Sequence, residues 1–363
     1  MALIIDPWGA ELPAEYEKIV KQFGLEVFDS SLFPEPNRLM RRKIVFASRD
    51  QKVIADCIRK KKPYYALTGI MPTADKVHFG TKMVVEQMRY FQEHGAKTYV
   101  LVADLEAATT RGVSLEIARK RALDFHIPAY IALGLDPKKT IFYFQSENKD
   151  VMHLAYEAAQ RITLNEFKAV YGSADPSRIM AAVTQVGDIL FPQLEEKMPG
   201  IIPVGIDQDP HIRLTRDVVE RSGRMHKLIP PAGIYHKFTP SLDGTLKMSK
   251  SKPGSCIELP EDPKEVCKKI QKAVSGGRKT EEEHRKLGAE VEKDMVFELL
   301  KMHLIENDNK LEMIYQQYKT GQMLSGELKK IACEAMTAFM NYFVERLEEA
   351  RKIVPDLKFI KFS

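Results

Sequence analysis

Short apolar runs alternate with longer amphipathic segments between residues 63 and about 255. The runs have the length of strands and end at glycine or polar residues, as buried parallel strands do. Three clear examples are Pro63–Gly69, Thr98–Asp104 and Thr140–Phe144. Between the first two strands, apolar residues recur at helical spacing from Phe79 to about His94, which predicts a helix. This alternation predicts an α/β fold with a doubly wound parallel sheet.

The pattern predicts three parts of the chain. Residues 1–62 form an N-terminal helical extension, and residues 63–255 form a Rossmann-like domain with a helix-rich insertion at about 107–200. Residues 256–363 show almost continuous helical periodicity and predict an all-helical C-terminal domain. The helices predicted outside the alternating strands lie at residues 15–23, 51–60, 114–123, 150–171, 180–191, 295–305, 309–318 and 325–352.

The composition is that of a globular protein. The chain has 363 residues, of which 44% are hydrophobic and 29% charged, enough for two or three domains. It contains no run of about 18 apolar residues, so no membrane span is expected. The N-terminus lacks a basic stretch followed by a long apolar one, so a cytoplasmic location is expected.

The four cysteines are Cys57, Cys256, Cys267 and Cys333. None belongs to a Cys-x-x-Cys pair, so neither a structural zinc site nor an iron–sulfur cluster is predicted. We expect scattered, reduced thiols and no protein-bound metal.

The net charge of +5 does not by itself identify a nucleic-acid-binding protein. Basic residues cluster at 59–62, 119–121 and 268–272. Each cluster has the ordinary interpretation of a solvated helix face.

A loop rich in lysine and serine, Lys247-Met248-Ser249-Lys250-Ser251, lies between glycine and proline residues. Its ammonium groups and hydroxyls are suited to bind the oxygens of a polyphosphate. The five letters resemble the mobile phosphate-binding loop of class I aminoacyl-tRNA synthetases. The resemblance implies catalytic roles for Lys247, Ser249, Lys250 and Ser251, and an ATP contact for Met248.

A second candidate phosphate site lies where the first strand leads into its helix. The strand ends at Gly69, a loop containing Thr73 follows, and the helix begins near His78, Gly80 and Thr81. Helix N-termini bind phosphates through free backbone N–H groups. The His-x-Gly arrangement resembles the other class I synthetase motif, with Thr81 where the family usually has a second histidine. The resemblance assigns all five residues to ATP binding and His78 to catalysis.

Gly205, Asp207 and Gln208 follow another predicted strand, at the edge where open α/β sheets bind ligands. Gly205 allows a ribose to approach the backbone, and the two polar side chains can bind its hydroxyls. Alternatively, Asp207 only caps the next helix. This stretch, with Ser275–Arg278 and Leu324–Lys330, resembles the archaeal and eukaryotic branch of the tryptophanyl-tRNA synthetase family.

Tryptophan offers a large apolar plane with one N–H donor, so its pocket needs apolar walls and one acceptor. Gln185 and Asp188 share a helical face in an apolar segment and are our candidates for that partner. By resemblance, Glu106 binds the α-ammonium group and Gln145 reaches the same group. Glu166 lies near another substrate segment of the family. An amphipathic helix with a polar edge is the simpler interpretation of Gln185 and Asp188.

The chain departs from the eukaryotic pattern at Leu67 and Leu101, where that pattern has a tyrosine and a glutamine. Neither leucine can accept a hydrogen bond, so the indole contact is expected from Gln185 or Asp188.

The resemblance implies ATP-dependent activation of tryptophan and its transfer to tRNA(Trp), with Mg²⁺. It also implies a homodimer formed through residues 107–200 and anticodon recognition by residues 256–363. Three alternatives stay open. They are a tyrosyl-tRNA synthetase, a related nucleotidyltransferase that does not use tRNA, and a catalytically weakened paralogue.

Overall fold

The computed structural model of the protein describes residues 16–221, 227–248, 252–357 and 359–360. In these ranges the chain forms two compact units. Unit one contains residues 16–75, 82–237 and 348–360. Unit two contains residues 76–81 and 238–347.

Unit one is built on a seven-stranded sheet with the order β1-β2-β8-β7-β3-β5-β6. The five strands from β8 to β6 are parallel, and β2 pairs antiparallel with both β1 and β8. The strands are β1 (Glu26–Val27), β2 (Val45–Arg49), β3 (Tyr65–Ile70), β5 (Lys97–Val102), β6 (Thr140–Phe144), β7 (Gly200–Gly205) and β8 (Ala232–His236). The predicted doubly wound parallel sheet is confirmed.

Helices connect these strands and cover the sheet. They are α1 (Tyr16–Gln22), α2 (Arg38–Arg41), α3 (Gln51–Arg59), α4 (Phe79–Glu93), α5 (Asp104–Arg111), α6 (Leu115–Arg121), α7 (Ile127–Ala132), α8 (Lys149–Ala159), α9 (Leu164–Tyr171), α10 (Pro176–Leu190), α11 (Pro192–Glu195) and α12 (Asp209–Arg221). A π-helical turn joins α6 to α7 at Ala122–His126. In α4, Met83, Met88 and Phe91 are fully buried as predicted, whereas Val84 is only partly buried and Val85 is buried.

The N-terminal extension contains the two predicted helices and also two strands that the sequence did not indicate. Residues 26–27 and 45–49 form strands, because the backbone of β2 pairs with β8, nearly two hundred residues later in the chain. A local pattern does not reveal such a distant partner. The extension therefore belongs to unit one.

Unit two contains a two-stranded antiparallel sheet and the C-terminal helices. Its strands are β4 (Val77–His78) and β9 (Glu258–Leu259). Its helices are α13 (Pro263–Lys272), α14 (Glu281–Leu287), α15 (Met295–Leu299), α16 (Asp308–Lys319) and most of α17 (Ser325–Ile353), with a π-helical turn at Leu300–Leu304. The predicted helical C-terminal region is thus present.

The compact units do not end at the boundaries predicted from the sequence. Residues 238–255 belong with the C-terminal helices rather than with the parallel sheet. Residues 348–360 belong with the sheet, where Phe359 forms an isolated bridge with Phe142 in the middle of β6. In the part of the chain that the structure describes, no helix has both the length and the apolar character needed to cross a membrane.

Candidate functional site

One face of the parallel sheet supplies an apolar wall in unit one. Leu67 pairs with Tyr99, and Leu101 pairs with Tyr143. Paired residues of parallel strands point to the same face, as do residues two apart in one strand, so these four side chains share a face. The Tyr143 hydroxyl donates to Asp188 of α10 at 2.9 Å, so α10 covers that face.

A group of carboxylates and amides, here called the Asp188 cluster, lies where these strands end. It consists of Glu106, Gln145, Gln185 and Asp188. Gln185 Nε2 donates to Glu106 Oε2 at 2.8 Å, and Gln145 Nε2 donates to Asp188 Oδ2 at 2.5 Å. The backbone N–H of Glu106 donates to Gln145 Oε1 at 3.4 Å. Four predicted tryptophan-site residues from α5, the end of β6 and α10 are therefore neighbours.

Asp188 is the most deeply buried acid of this cluster, with 1% of its surface exposed. Burial raises the pKa of Asp188 to about 8, against the opposing effect of the hydrogen bonds from Gln145 and Tyr143. The negative charge of Glu106 raises it further. Asp188 is thus an acceptor held by side chains in an apolar setting, the arrangement that a single N–H donor requires.

Tyr171 and His211 form a second polar pair near Glu106. The Tyr171 hydroxyl and His211 Nδ1 are 2.9 Å apart, and both residues are buried. Burial lowers the pKa of His211 to about 3, so its imidazole is neutral at neutral pH. Burial, followed by the negative charge of Glu106, raises the pKa of Tyr171. Both groups therefore stay uncharged beside the Glu106 carboxylate.

The turn after β7 contains the predicted ribose contacts. Gly205 ends the strand, Asp207 is buried and Gln208 is partly exposed. The next residue, Asp209, is fully buried and accepts two hydrogen bonds from Arg49 of β2, at 2.9 and 3.0 Å. The Tyr235 hydroxyl donates to the same carboxylate at 2.6 Å. The N-terminal extension, through Arg49 of β2, therefore anchors this turn.

Side chains from α6 and α7 form hydrogen bonds with the backbone of the loop after β3. The Gly69 carbonyl accepts a hydrogen bond from the Tyr130 hydroxyl at 3.2 Å. The Thr73 carbonyl accepts one from Arg121 at 3.0 Å, and Arg121 also pairs with Asp75 at 2.9 Å. These contacts fix the backbone of the predicted ATP-binding loop within unit one.

Unit two brings the histidine-bearing segment next to the strand that follows the lysine loop. His78 in β4 pairs with Glu258 in β9, and Val77 pairs with Leu259. Lys76 Nζ lies 3.3 Å from the Glu258 carboxylate. Segments separated by almost two hundred residues are therefore joined by backbone pairing.

His78 turns back over the start of α4. Its Nδ1 accepts a hydrogen bond from the backbone N–H of Gly80 at 3.0 Å. A Cβ atom at Gly80 would lie only 2.7 Å from His78 Cε1, so a side chain there would displace the ring from this position. Thr81 follows in the first turn and is partly exposed.

The described part of the lysine loop is held by the same unit. Met248 is 5% exposed, and its backbone N–H donates to the Thr239 carbonyl at 2.8 Å. The Ile257 N–H contacts Met248 Sδ at 3.3 Å, which ties the two sides of the loop together. Lys247 Nζ lies 5.0 Å from the centre of the Phe238 ring. Ser249, Lys250 and Ser251 lie outside the described residues.

Glu166 has a different environment from the other four predicted tryptophan-site residues. It is the third residue of α9 and forms a capping box with Thr163, and its carboxylate pairs with Arg221 at 2.5 Å. Capping and ion pairing account for this side chain. No hydrogen bond within the described ranges joins it to the Asp188 cluster, so we do not retain it as a substrate contact.

Comparisons with known proteins identify the family of this chain. The sequence profile of a family described as "tRNA synthetases class I (W and Y)" matches residues 59–341. A tryptophan–tRNA ligase of Methanocaldococcus jannaschii is 40% identical over 359 residues, covering 96% of each chain. The chain belongs to this class I synthetase family.

Solved structures of the family have the same fold. The crystal structure of tryptophanyl-tRNA synthetase from Aeropyrum pernix has a TM-score of 0.89 and 39% identity, covering 98% of this chain and all of that one. A tryptophanyl-tRNA synthetase from Encephalitozoon cuniculi, bound to tryptophan, has a TM-score of 0.86 and 26% identity, covering 97% of this chain and 99% of that one.

Several residues that contact or neighbour the predicted site residues were not identified from the sequence. Tyr143 is one, although its place two residues before Gln145 on an alternating strand could have indicated it. The contacts Tyr171–His211 and Arg49–Asp209 form only when distant elements pack together. No local sequence pattern indicates them.

Proposed function

We propose that the protein is a tryptophan–tRNA ligase, which activates tryptophan with ATP and transfers it to tRNA(Trp). The observation that carries the proposal is the Asp188 cluster, a set of buried acceptors at the carboxyl edge of the sheet beside an apolar wall of Leu67 and Leu101. The names of the relatives support the same reaction.

Different residues of the cluster would bind different groups of tryptophan. Glu106, oriented by Gln185, would bind the α-ammonium group by a charge-assisted hydrogen bond. Asp188 would accept the indole N–H, because each of its oxygens has a free lone pair beyond the bonds from Tyr143 and Gln145. Either protonation state of Asp188 keeps an acceptor oxygen. This assignment supplies the contact that Leu67 and Leu101 lack.

Activation needs no general base, because the carboxylate of tryptophan is ionised at neutral pH. That carboxylate attacks the α-phosphorus of ATP, which forms tryptophanyl-adenylate and releases pyrophosphate. The protein has to position the substrates and stabilise charge on the phosphates. We assign the phosphates to His78, Gly80, Thr81 and the lysine loop, and the ribose to the turn after Gly205.

Mg²⁺ would arrive with ATP as part of the substrate. In the ranges that the structure describes, no group of three His, Cys, Asp or Glu side chains could hold a metal ion. Phosphate oxygens and water are common ligands of this ion.

For tRNA and assembly, the proposal follows the family. The terminal hydroxyl of tRNA attacks the activated acyl group, and the helices within residues 256–363 recognise the anticodon. A homodimer through residues 107–200 is supported by exposed apolar side chains. Six of the fourteen large exposed apolar residues of the described chain lie in that segment, namely Leu115, Ile117, Tyr156, Leu164, Met180 and Leu194.

ATP–pyrophosphate exchange with each of the twenty amino acids tests the function. We expect exchange with tryptophan only, followed by tRNA charging. Exchange with tyrosine would identify a tyrosyl-tRNA synthetase, and exchange without tRNA charging would indicate a nucleotidyltransferase. No exchange with any amino acid would refute the enzymatic proposal.

Removal of one lysine tests the phosphate assignment. In Lys250→Ala we expect adenylate formation to slow by ~10²-fold with little change in tryptophan binding, because the lost contact is strongest in the transition state. Single-turnover exchange and equilibrium binding of tryptophan measure the two quantities. An unchanged exchange rate would exclude the loop from the reaction.

A further inference from the structure

Two of the four cysteines are neighbours rather than scattered thiols. Cys267 lies in α13 and Cys333 in α17, and both are partly exposed. The other two, Cys57 and Cys256, are buried. The expectation of scattered thiols was therefore wrong for one pair.

The geometry holds this pair together. Cys333 Sγ lies 3.8 Å from the backbone carbonyl oxygen of Cys267, and Gln271 Nε2 lies 4.0 Å from the same sulfur. Lys329, one helical turn before Cys333, donates to the carbonyls of Gln271 and Ala273 at 2.7 and 3.2 Å. The C-terminal end of α13 is thus fastened to α17 beside the two thiols.

We propose that Cys267 and Cys333 form a modification site, at which a low-molecular-weight disulfide reversibly oxidises the pair to a disulfide bond between α13 and α17. This inference does not depend on the proposed function. It rests on the contact of the Cys333 sulfur with Cys267 and on the partial exposure of both cysteines.

The chemistry is thiol–disulfide exchange. The Cys267 thiolate attacks one sulfur of the small disulfide, which forms a mixed disulfide and releases one small thiolate. Cys333 gives its proton to a released thiolate and displaces the second small thiol from Cys267. Two protein thiols and one small disulfide thus become one protein disulfide and two small thiols.

The environment of Cys333 does not favour the first attack. Burial and the hydrogen bond to Cys267 raise the pKa of Cys333 to about 12, so this thiol keeps its proton at neutral pH. It therefore serves as the resolving thiol, and Cys267 is the thiol that attacks first.

The cross-link would have a measurable effect on unit two. It joins residues 66 positions apart, so it removes conformational freedom from the unfolded chain. The helix α13 is also tied to the chain leaving the lysine loop, because Lys269 Nζ donates to the Cys256 carbonyl at 2.8 Å. Oxidation would fix this helix against α17.

Incubating the full-length protein with oxidised glutathione at neutral pH tests the proposal. We expect titration in denaturant to find two of the four thiols lost, and intact mass to show no glutathione adduct. Peptide mapping without reductant should find Cys267 linked to Cys333. The unfolding midpoint should rise by several degrees, and a dithiol reductant should reverse every change.

Single-site variants provide the controls. Cys267→Ser should lose no pair of thiols and show no shift in midpoint, whereas Cys57→Ala should behave as the native protein does. Four intact thiols after equilibration of the native protein would overturn the proposal. So would a persistent glutathione adduct on either cysteine, or a disulfide mapped to another pair.

Discussion

Two buried aspartates, Asp188 in unit one and Asp294 in unit two, carry the same side chain in different surroundings. Each is 1% exposed. Asp188 accepts hydrogen bonds only from side chains, those of Tyr143 and Gln145, among the described contacts. Asp294 accepts from the Tyr318 hydroxyl at 2.7 Å and from three backbone N–H groups, those of Gly276, Val296 and Phe297, at 2.8–2.9 Å.

The difference separates a binding group from a structural one. Backbone donors belong to fixed elements, so the bonds of Asp294 can be lost only if α15 and the segment around Gly276 unfold. The donors to Asp188 are side chains, so a ligand can replace one of these bonds without unfolding a helix or a strand. Fixed partners stabilise the fold, and adjustable partners leave an acceptor available.

The largest effect should come from Glu106→Gln, which removes the charge of the Asp188 cluster that would face the α-ammonium group. We expect kcat/KM for tryptophan to fall by ~10³-fold, about 4 kcal/mol, because an ammonium group would lose its buried charged partner. Pyrophosphate exchange measures this. The exposed Glu116→Gln on α6 should have no effect, and equal losses in both variants would contradict the assignment.

Asp294→Asn should lower the stability of the protein rather than its affinity for tryptophan. An amide nitrogen in place of one oxygen cannot accept from the Gly276 N–H, so we expect unfolding to become easier by about 3 kcal/mol. Chemical denaturation measures the change, with KM for tryptophan unaffected. Asp262→Asn, at the exposed N-cap of α13, is the control and should cost far less. A cost no larger than that of the control would remove the structural role.

Asp188→Asn should lower kcat/KM for tryptophan by ~30-fold, about 2 kcal/mol, because the amide has one acceptor oxygen in place of two, and the indole N–H would compete for it with Tyr143 and Gln145. Stability should depend on pH in the native protein. The folded pKa, about 8, lies above the unfolded value of 3.8, so the contribution of Asp188 to stability is fully present below pH 4 and is lost as pH rises through 8. The variant should lack this component. If the unfolding free energies of the native protein and of Asp188→Asn changed with pH at the same slope, Asp188 would not titrate in this range.

The smallest effects should come from replacing the two tyrosines that donate hydrogen bonds to these aspartates. Tyr143→Phe removes one donor to Asp188, and we expect a ~5-fold loss in kcat/KM, about 1 kcal/mol. Tyr318→Phe removes one donor to Asp294 and should cost about 1 kcal/mol of stability without changing KM for tryptophan. Exchange kinetics and denaturation on both variants provide the check. If each variant changed both properties equally, the two aspartates would not differ in role.

Much of the fold could be predicted because its signals are local. The parallel strands β3, β5 and β6 are apolar runs bounded by glycine or polar residues, and they lie within two residues of their predicted ends. The helix predicted at 325–352 is α17, Ser325–Ile353. A single helix predicted at 150–171 is instead α8 and α9, because Thr163 and Glu166 form a capping box that restarts the helix. The Thr-x-x-Glu sequence was the available signal.

The site could be predicted in part for the same reason. Residues at the ends of neighbouring parallel strands and on one helical face meet in space, so Gln145, Gln185 and Asp188 could be grouped in advance. The pairs Tyr171–His211 and Arg49–Asp209 could not be grouped in advance. They are brought together by tertiary packing, which no spacing within a single segment encodes.

The strand β2 also covers the edge of the parallel sheet and so protects it from self-association. It pairs along β8, so the parallel part of the sheet does not end in an open edge on that side. A fragment that began after residue 50 would expose the hydrogen-bonding groups of β8 and leave the buried Asp209 without its Arg49 partner. Such a fragment would be prone to self-association through added strands, so useful shortened forms of this protein should keep β2.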